Sequence, residues 1–230
     1  KEMEEYNEAI LVYEKAVELN PQYYEAYNNL GTVLGKNEQY KEAIEAYNKT
    51  ILLKPDFAEA YNNMGIALKE QGKLEEAIEI YNKTLSLKPD YADAYYNLGV
   101  ALQSQDMLEE AIEAFNKALS INSDDAEIYN NMGIVLAELD KLEEAIEVYN
   151  KALLLKPDFV EAYNNKGVSL KKQGKLDEAI EVFNKTLSLK PDYFEAYYNI
   201  GNAIEEQGRL EEAIEAFKKA LSIKPNFADA

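Results

Sequence analysis

Three residue types are missing altogether: the 230-residue chain contains no cysteine, no histidine and no tryptophan. Without cysteine there are no disulfides and no thiolate nucleophiles. Without histidine as well, there is no imidazole base, and the usual zinc ligand sets cannot be assembled. Proline and glycine are scarce, at six and ten residues. Alanine, leucine, isoleucine, glutamate and lysine dominate instead, which is the usage of long regular helices rather than sheets. No apolar run approaches the roughly 20 residues that span a bilayer, and no basic-then-apolar targeting stretch opens the sequence. The expectation is a cytoplasmic chain with no membrane partner.

Positive charge is also in deficit. Against 43 acidic residues stand 24 basic ones, a formal net charge of −19. Phosphate backbones are repelled by such a chain, so nucleic acid is not an expected partner. No group of acids has a base or nucleophile beside it in the sequence pattern. Catalytic residues, metal and cofactor are therefore all expected to be none, and the chain reads as a non-enzyme.

What the sequence does contain is a period. Gly31, Gly65, Gly99, Gly133, Gly167 and Gly201 stand 34 residues apart, and Ala43, Ala77, Ala111, Ala145, Ala179 and Ala213 keep the same step. Pro21, Pro55, Pro89, Pro157, Pro191 and Pro225 do so too, with Ser123 in the one gap. An unbroken period without insertions is one supersecondary unit stacked on copies of itself. Within a unit, Tyr27, Leu30, Gly31 and Leu34 share one helical face, and Ala43, Ile44, Tyr47, Thr50 and Ile51 share a second. Each repeat is therefore a helical hairpin. Glycine and alanine sit where the faces meet, beside bulky Tyr47 and Leu30. Asp56 followed by Glu59 has capping-box spacing, repeated at Asp158/Glu161 and Asp192/Glu195, and predicts helix starts capped by these aspartates.

The tyrosine-x-x-apolar-glycine run, the alanine, the aromatic and the closing proline resemble the tetratricopeptide repeat (TPR) family over the whole chain. The resemblance implies an all-α fold, a right-handed superhelical solenoid of 34-residue helix-turn-helix repeats. First helices would line its inner, concave side and second helices its outside. It divides the chain into a partial repeat over 1–23, full repeats over 24–57, 58–91, 92–125, 126–159, 160–193 and 194–227, and the start of another over 228–230. Such a chain reads as a piece of a longer array whose uncapped ends expose apolar surface, including Ile10 and Val17. Head-to-tail self-association through those ends is an expected contact. The function implied is a protein-protein interaction scaffold that binds an extended peptide or protein partner in the concave groove. The substrate-recognition arm of a larger enzyme, such as an O-GlcNAc-type glycosyltransferase, and a self-assembling structural array are the alternatives.

The faces of the first helix narrow this further. Opposite the core side lies a column that reads Asn29, Asn63, Asn97, Asn131, Asn165 and Asn199 without exception. Asparagine in a helix interior costs several tenths of a kcal/mol relative to alanine, so duplication alone does not account for its retention. The column Gly35, Lys69, Gln103, Ala137, Lys171, Glu205 shares that history and has diverged completely. A primary amide bridges the C=O and N–H of one peptide unit, which reads backbone rather than side chains. The column resembles the asparagine ladder of O-linked N-acetylglucosamine transferases, and this resemblance implies an extended ligand held along a continuous line. Alanine is the better helix former, so replacing these asparagines is not expected to lower stability. Beside the ladder, Ile66, Val100, Ile134 and Val168 line an apolar strip, and Tyr96 and Tyr198 are candidate pocket walls. The acidic column Glu25, Glu59, Asp93, Glu127, Glu161, Glu195 is read chiefly as helix capping.

Overall fold

A computed structural model describes residues 2–226, with Glu2 described by its backbone alone. Lys1 and residues 227–230 lie outside that range, and with them the expected start of a further repeat over 228–230. Among the described residues there are thirteen α-helices and no strand, an all-α fold.

The chain divides into two compact units, Lys1–Asn122 and Ser123–Ala230. The first holds α1 (Glu2–Leu19), α2 (Tyr24–Lys36), α3 (Tyr40–Leu53), α4 (Ala58–Glu70), α5 (Leu74–Leu87), α6 (Ala92–Ser104) and α7 (Leu108–Ile121). The second holds α8 (Ala126–Glu138), α9 (Leu142–Leu155), α10 (Val160–Lys172), α11 (Leu176–Leu189), α12 (Phe194–Glu206) and α13 (Leu210–Ile223). In both units each even-numbered helix packs against the helix that follows it, forming hairpins α2/α3, α4/α5 and α6/α7, then α8/α9, α10/α11 and α12/α13. The second helix of one hairpin also packs on the first helix of the next within its unit.

Close approach at the glycine explains each hairpin. A Cβ built on Gly31 would lie 2.6 Å from Cε1 of Tyr47, and one on Gly65 2.5 Å from Cε1 of Tyr81. The same fit recurs at Gly99 against Phe115, Gly133 against Tyr149, Gly167 against Phe183 and Gly201 against Phe217. The aromatic from the second helix occupies the space where any other residue would put a side chain. The alanines Ala43, Ala77, Ala111, Ala145 and Ala179 are fully buried, as are Thr50, Thr84 and Thr186. Each of these threonines donates its hydroxyl to a carbonyl one turn back in its own helix, so no polar atom is orphaned by its burial.

The turn inside each hairpin is a Schellman motif, which the sequence reading passed over. After α4, the Gly72 N–H bonds to Lys69 O at 2.9 Å and the Lys73 N–H to Leu68 O at 3.0 Å, with Gly72 at φ +76°. Gly174 and Gly208 stand in the same conformation, and Glu38, Asp106 and Asp140 hold φ between 58° and 61° at the equivalent places.

Two expectations are corrected here. The aspartates Asp56, Asp158 and Asp192 do not cap their helices: the N-cap residues are Phe57, Phe159 and Tyr193, with no side-chain cap bond. The closing turn draws the aromatic inward, Phe57 meeting the Tyr24 ring edge-on at 5.4 Å, and this puts the preceding aspartate one residue too far back. Only in α8, among the described helices, does an aspartate cap, Asp125 accepting from the N–H groups of Glu127 and Ile128. On α1, Ile10 is buried against a core containing Leu30, Leu34 and Tyr47, and Val17 is half-buried. The exposed large apolar residues of that helix are Met3, Leu11, Val12 and Leu19 instead.

Candidate functional site

The ladder asparagines lie one on each of the first helices α2, α4, α6, α8, α10 and α12. Asn29 is exposed, and Asn63, Asn97, Asn131, Asn165 and Asn199 are half-buried. In the first unit the rungs are Asn29, Asn63 and Asn97, and in the second Asn131, Asn165 and Asn199.

A second column of asparagines, missed in the sequence reading, supports the first. Asn97 Nδ2 donates to Asn62 Oδ1 at 3.1 Å. Asn165 donates to Asn130 and Asn199 to Asn164, each at 3.1 Å as well. The acceptors are buried side chains of the preceding repeat, Asn62 at 4%, Asn130 at 5% and Asn164 at 9% exposure. Each bond ties neighbouring first helices together and fixes the amide plane of the rung. The rung's carbonyl oxygen and its second N–H are not used by that bond. The adjacent Asn-Asn pairs 28–29, 62–63, 130–131 and 164–165 were the available signal.

The first rung pair is built differently. Asn28, at 4% exposure, donates weakly to Glu59 at 3.5 Å, and its Oδ1 is buried with no hydrogen-bond partner. Asn63 does not donate to it. Its Oδ1 instead accepts from Asn62 beside it at 3.5 Å, and its own N–H groups are uncommitted.

The apolar strip is mixed in exposure. Ile66 is 36% exposed, whereas Val100, Ile134 and Val168 are half-buried and Val168 packs on the core around Leu170 and Phe183. Tyr96 and Tyr198 lean back on the glycine-facing aromatics of their own hairpins, with ring centroids 6.1 Å from Phe115 and 5.8 Å from Phe217. Of the acidic column, Glu127 pairs with Lys156 at 3.0 Å, a bond that also raises the lysine's pKa.

A cleft of about 330 Å³ opens beside Asn63, between the ends of α2 and α4. Tyr40, Tyr47, Ile66 and Ala67 give it apolar walls, and Lys36 and Glu70 reach its rim. Gly35 lines it without a side chain, and a Cβ there would meet nothing within 4 Å. Among the described residues no group of histidine, cysteine, aspartate or glutamate is arranged to hold a metal ion, and no helix is long and apolar enough to cross a membrane.

Family models for the TPR repeat match residues 1–38, 36–72, 67–106 and 135–174, and models for the tetratricopeptide repeat match 92–125, 114–147 and 164–227. The chain belongs to the tetratricopeptide repeat family. This TPR chain is 30% identical to YrrB, described as a TPR protein with an unusual peptide-binding site, with a TM-score of 0.67 over 81% of this chain and 96% of that one. MamA is likewise 30% identical, with a TM-score of 0.67 over 73% of this chain and 98% of that one. The Cut9 and Hcn1 assembly of the APC/C shares the fold at 21% identity and a TM-score of 0.77, covering 98% of this chain and 44% of that one. No curated protein matches the sequence. The TPR hairpin accounts for the glycine, alanine and proline columns, all of which are packing or turn residues. The two asparagine columns and the Gly35 cleft are polar or open features that packing alone does not require.

Proposed function

We propose that this TPR chain is a peptide-binding scaffold whose asparagine rungs grip the backbone of an extended partner. The observation that carries the reading is the 3.1 Å bond from Asn97, Asn165 and Asn199 to an asparagine of the preceding repeat. An amide held this way presents its remaining acceptor and donor in one orientation, so less freedom is lost when a ligand is bound. Spacing supports the same reading. First helices of stacked hairpins lie about 10 Å apart, and an extended chain advances about 3.3 Å per residue, so one rung serves about every third peptide unit. The column also resembles the ladder of O-linked N-acetylglucosamine transferases, and YrrB supplies a 30% identical relative with a peptide-binding site. Ile66 and Val100 beside the rungs of the first unit, and Ile134 and Val168 in the second, give the peptide's side chains an apolar border.

Backbone recognition has a distinctive test. Random decapeptides are selected on the whole chain, and the best binder is then N-methylated one residue at a time. Loss of binding by about tenfold at every third residue is the expected pattern, because each methyl removes the N–H that a rung accepts. Uniform tolerance of methylation, with sensitivity confined to side-chain replacement, would overturn backbone reading.

A further inference from the structure

We propose that the cleft at Gly35 is a specificity subsite for a basic side chain of the bound peptide, with Glu70 as its counter-ion. The proposal rests on the peptide-grip reading for its physiological ligand, but the subsite is testable without the rungs.

The second unit contains the filled version of this arrangement. Lys171 reaches from the end of α10 to Glu206 at the end of α12, with Nζ 3.3 Å from Oε1. Gly35 and Glu70 stand at the equivalent places, on α2 and α4, and both pairs are 35 residues apart. In that pair the fold brings a cation at the first position to the carboxylate at the second, the sequence supplying both. At Gly35 the sequence supplies nothing, and the space that the lysine stem would cross is the cleft. A ligand with a long aliphatic stem and a cationic end replaces the missing lysine: the stem lies along Ile66 and Tyr40, and the head meets Glu70.

Charge in and around the cleft favours that occupant. The cleft sits at the C-terminal ends of α2 and α4, where helix dipoles favour cations. The Tyr40 hydroxyl is held above its ordinary pKa by partial burial and by the charges of Glu70 and Glu38. Two native cations are nearby. Lys69 is 2.8 Å from Glu70 Oε1, leaving the second carboxylate oxygen, and Lys36 is exposed at the rim. Across the whole chain, 43 acids face 24 bases, so a basic peptide is attracted and an acidic one repelled. Asn63, with its N–H groups uncommitted, stands at the same cleft to take a carbonyl of the residue whose side chain enters.

The test uses single amino acids, which do not need the ladder. Uniformly ¹⁵N-labelled whole chain is titrated with N-acetyl-arginine amide, N-acetyl-lysine amide, N-acetyl-norleucine amide and N-acetyl-glutamate amide, following the backbone amides of Gly35, Ile66 and Glu70. The two basic probes should give saturable shifts at least tenfold tighter than norleucine, and glutamate none. Gly35→Lys should abolish the response by filling the cleft as Lys171 does, whereas Gly35→Ala should keep it. Glu70→Gln should reduce the basic probes to the level of norleucine. Both Gly35 variants replace glycine at an open helical position, so both should melt at or above the parent temperature, which separates blocking from misfolding. No saturable shift, equal binding of norleucine, or an undiminished response in Gly35→Lys would overturn the subsite. That result would leave the rungs untouched. Loss of peptide binding on rung substitution, with these shifts intact, would in turn leave the subsite standing.

Discussion

A Cβ placed on Gly99 would lie 2.6 Å from Cε1 of Phe115, which is itself fully buried. The glycine is therefore a volume requirement rather than a conformational one, since its backbone is ordinary helix. Gly99→Leu should destabilise the first unit by about 1–3 kcal/mol. Gly99→Ala should also lower the melting temperature, although alanine gains about 1 kcal/mol at an open helical site. Thermal denaturation by circular dichroism reads both, and an unchanged midpoint for the leucine variant would contradict the packing role.

The turn residues give a prediction of the opposite kind. At Gly72 the space is open but φ is +76°, whereas Glu38 pays for φ +60° with a side chain. Gly72→Ala should cost about 1 kcal/mol, and Glu38→Gly should raise stability by about 0.5–1 kcal/mol. A Gly72→Ala protein that melts with its parent would show that the Schellman turn relaxes freely.

Tyr81 carries a hydroxyl that is buried without a hydrogen-bond partner. Tyr81→Phe should therefore stabilise the chain by about 1 kcal/mol. Burial raises the pKa of the Tyr81 and Tyr149 hydroxyls well above the usual 10, with Ser169 partly offsetting the effect at Tyr149. The folded state thus holds these protons more tightly than the unfolded state does. Their contribution is intact below about pH 10 and is lost as pH rises through the folded-state values. Urea denaturation at pH 7 and above pH 10 should show a smaller alkaline loss for the Tyr81→Phe, Tyr149→Phe double variant. Equal losses in both proteins would assign the alkaline sensitivity to the acidic surface instead.

Most of the fold was legible because a strict period multiplies every packing signal: six glycines opposite six aromatics leave one arrangement. Capping was misread because Asp56 and Glu59 have the right spacing, while the helix start is set by burial of Phe57. The column of ladder asparagines stands out in the sequence by its unbroken 34-residue step. Its support does not, because Asn62 and Asn97 meet only when successive hairpins stack, 35 residues apart. The column containing Gly35 served in the sequence only as an example of divergence. In the structure that divergence separates a filled cation site at Lys171 from an open cleft.

The stability expectation for the rungs changes for the same reason. Alanine at Asn97 and Asn165 removes the donors to Asn62 and Asn130, whose carbonyl oxygens are buried. Each orphaned acceptor costs about 1–3 kcal/mol, which outweighs the propensity gained. Asn97→Ala should therefore melt below the parent, and Asn62→Ala, Asn97→Ala together should cost less than the sum of the single changes. Additive losses in that cycle would mean the two side chains do not interact.

Isothermal calorimetry measures the ladder most directly, using a decapeptide selected on the whole chain and the Asn131→Ala, Asn165→Ala, Asn199→Ala protein, whose three rungs share the second unit, with folding at the working temperature verified by circular dichroism. Three contacts of about 0.5–1.5 kcal/mol each predict at least a tenfold weaker Kd. An unchanged Kd in a folded triple variant would contradict the account, reducing the asparagines to inter-repeat ties and moving the binding surface elsewhere.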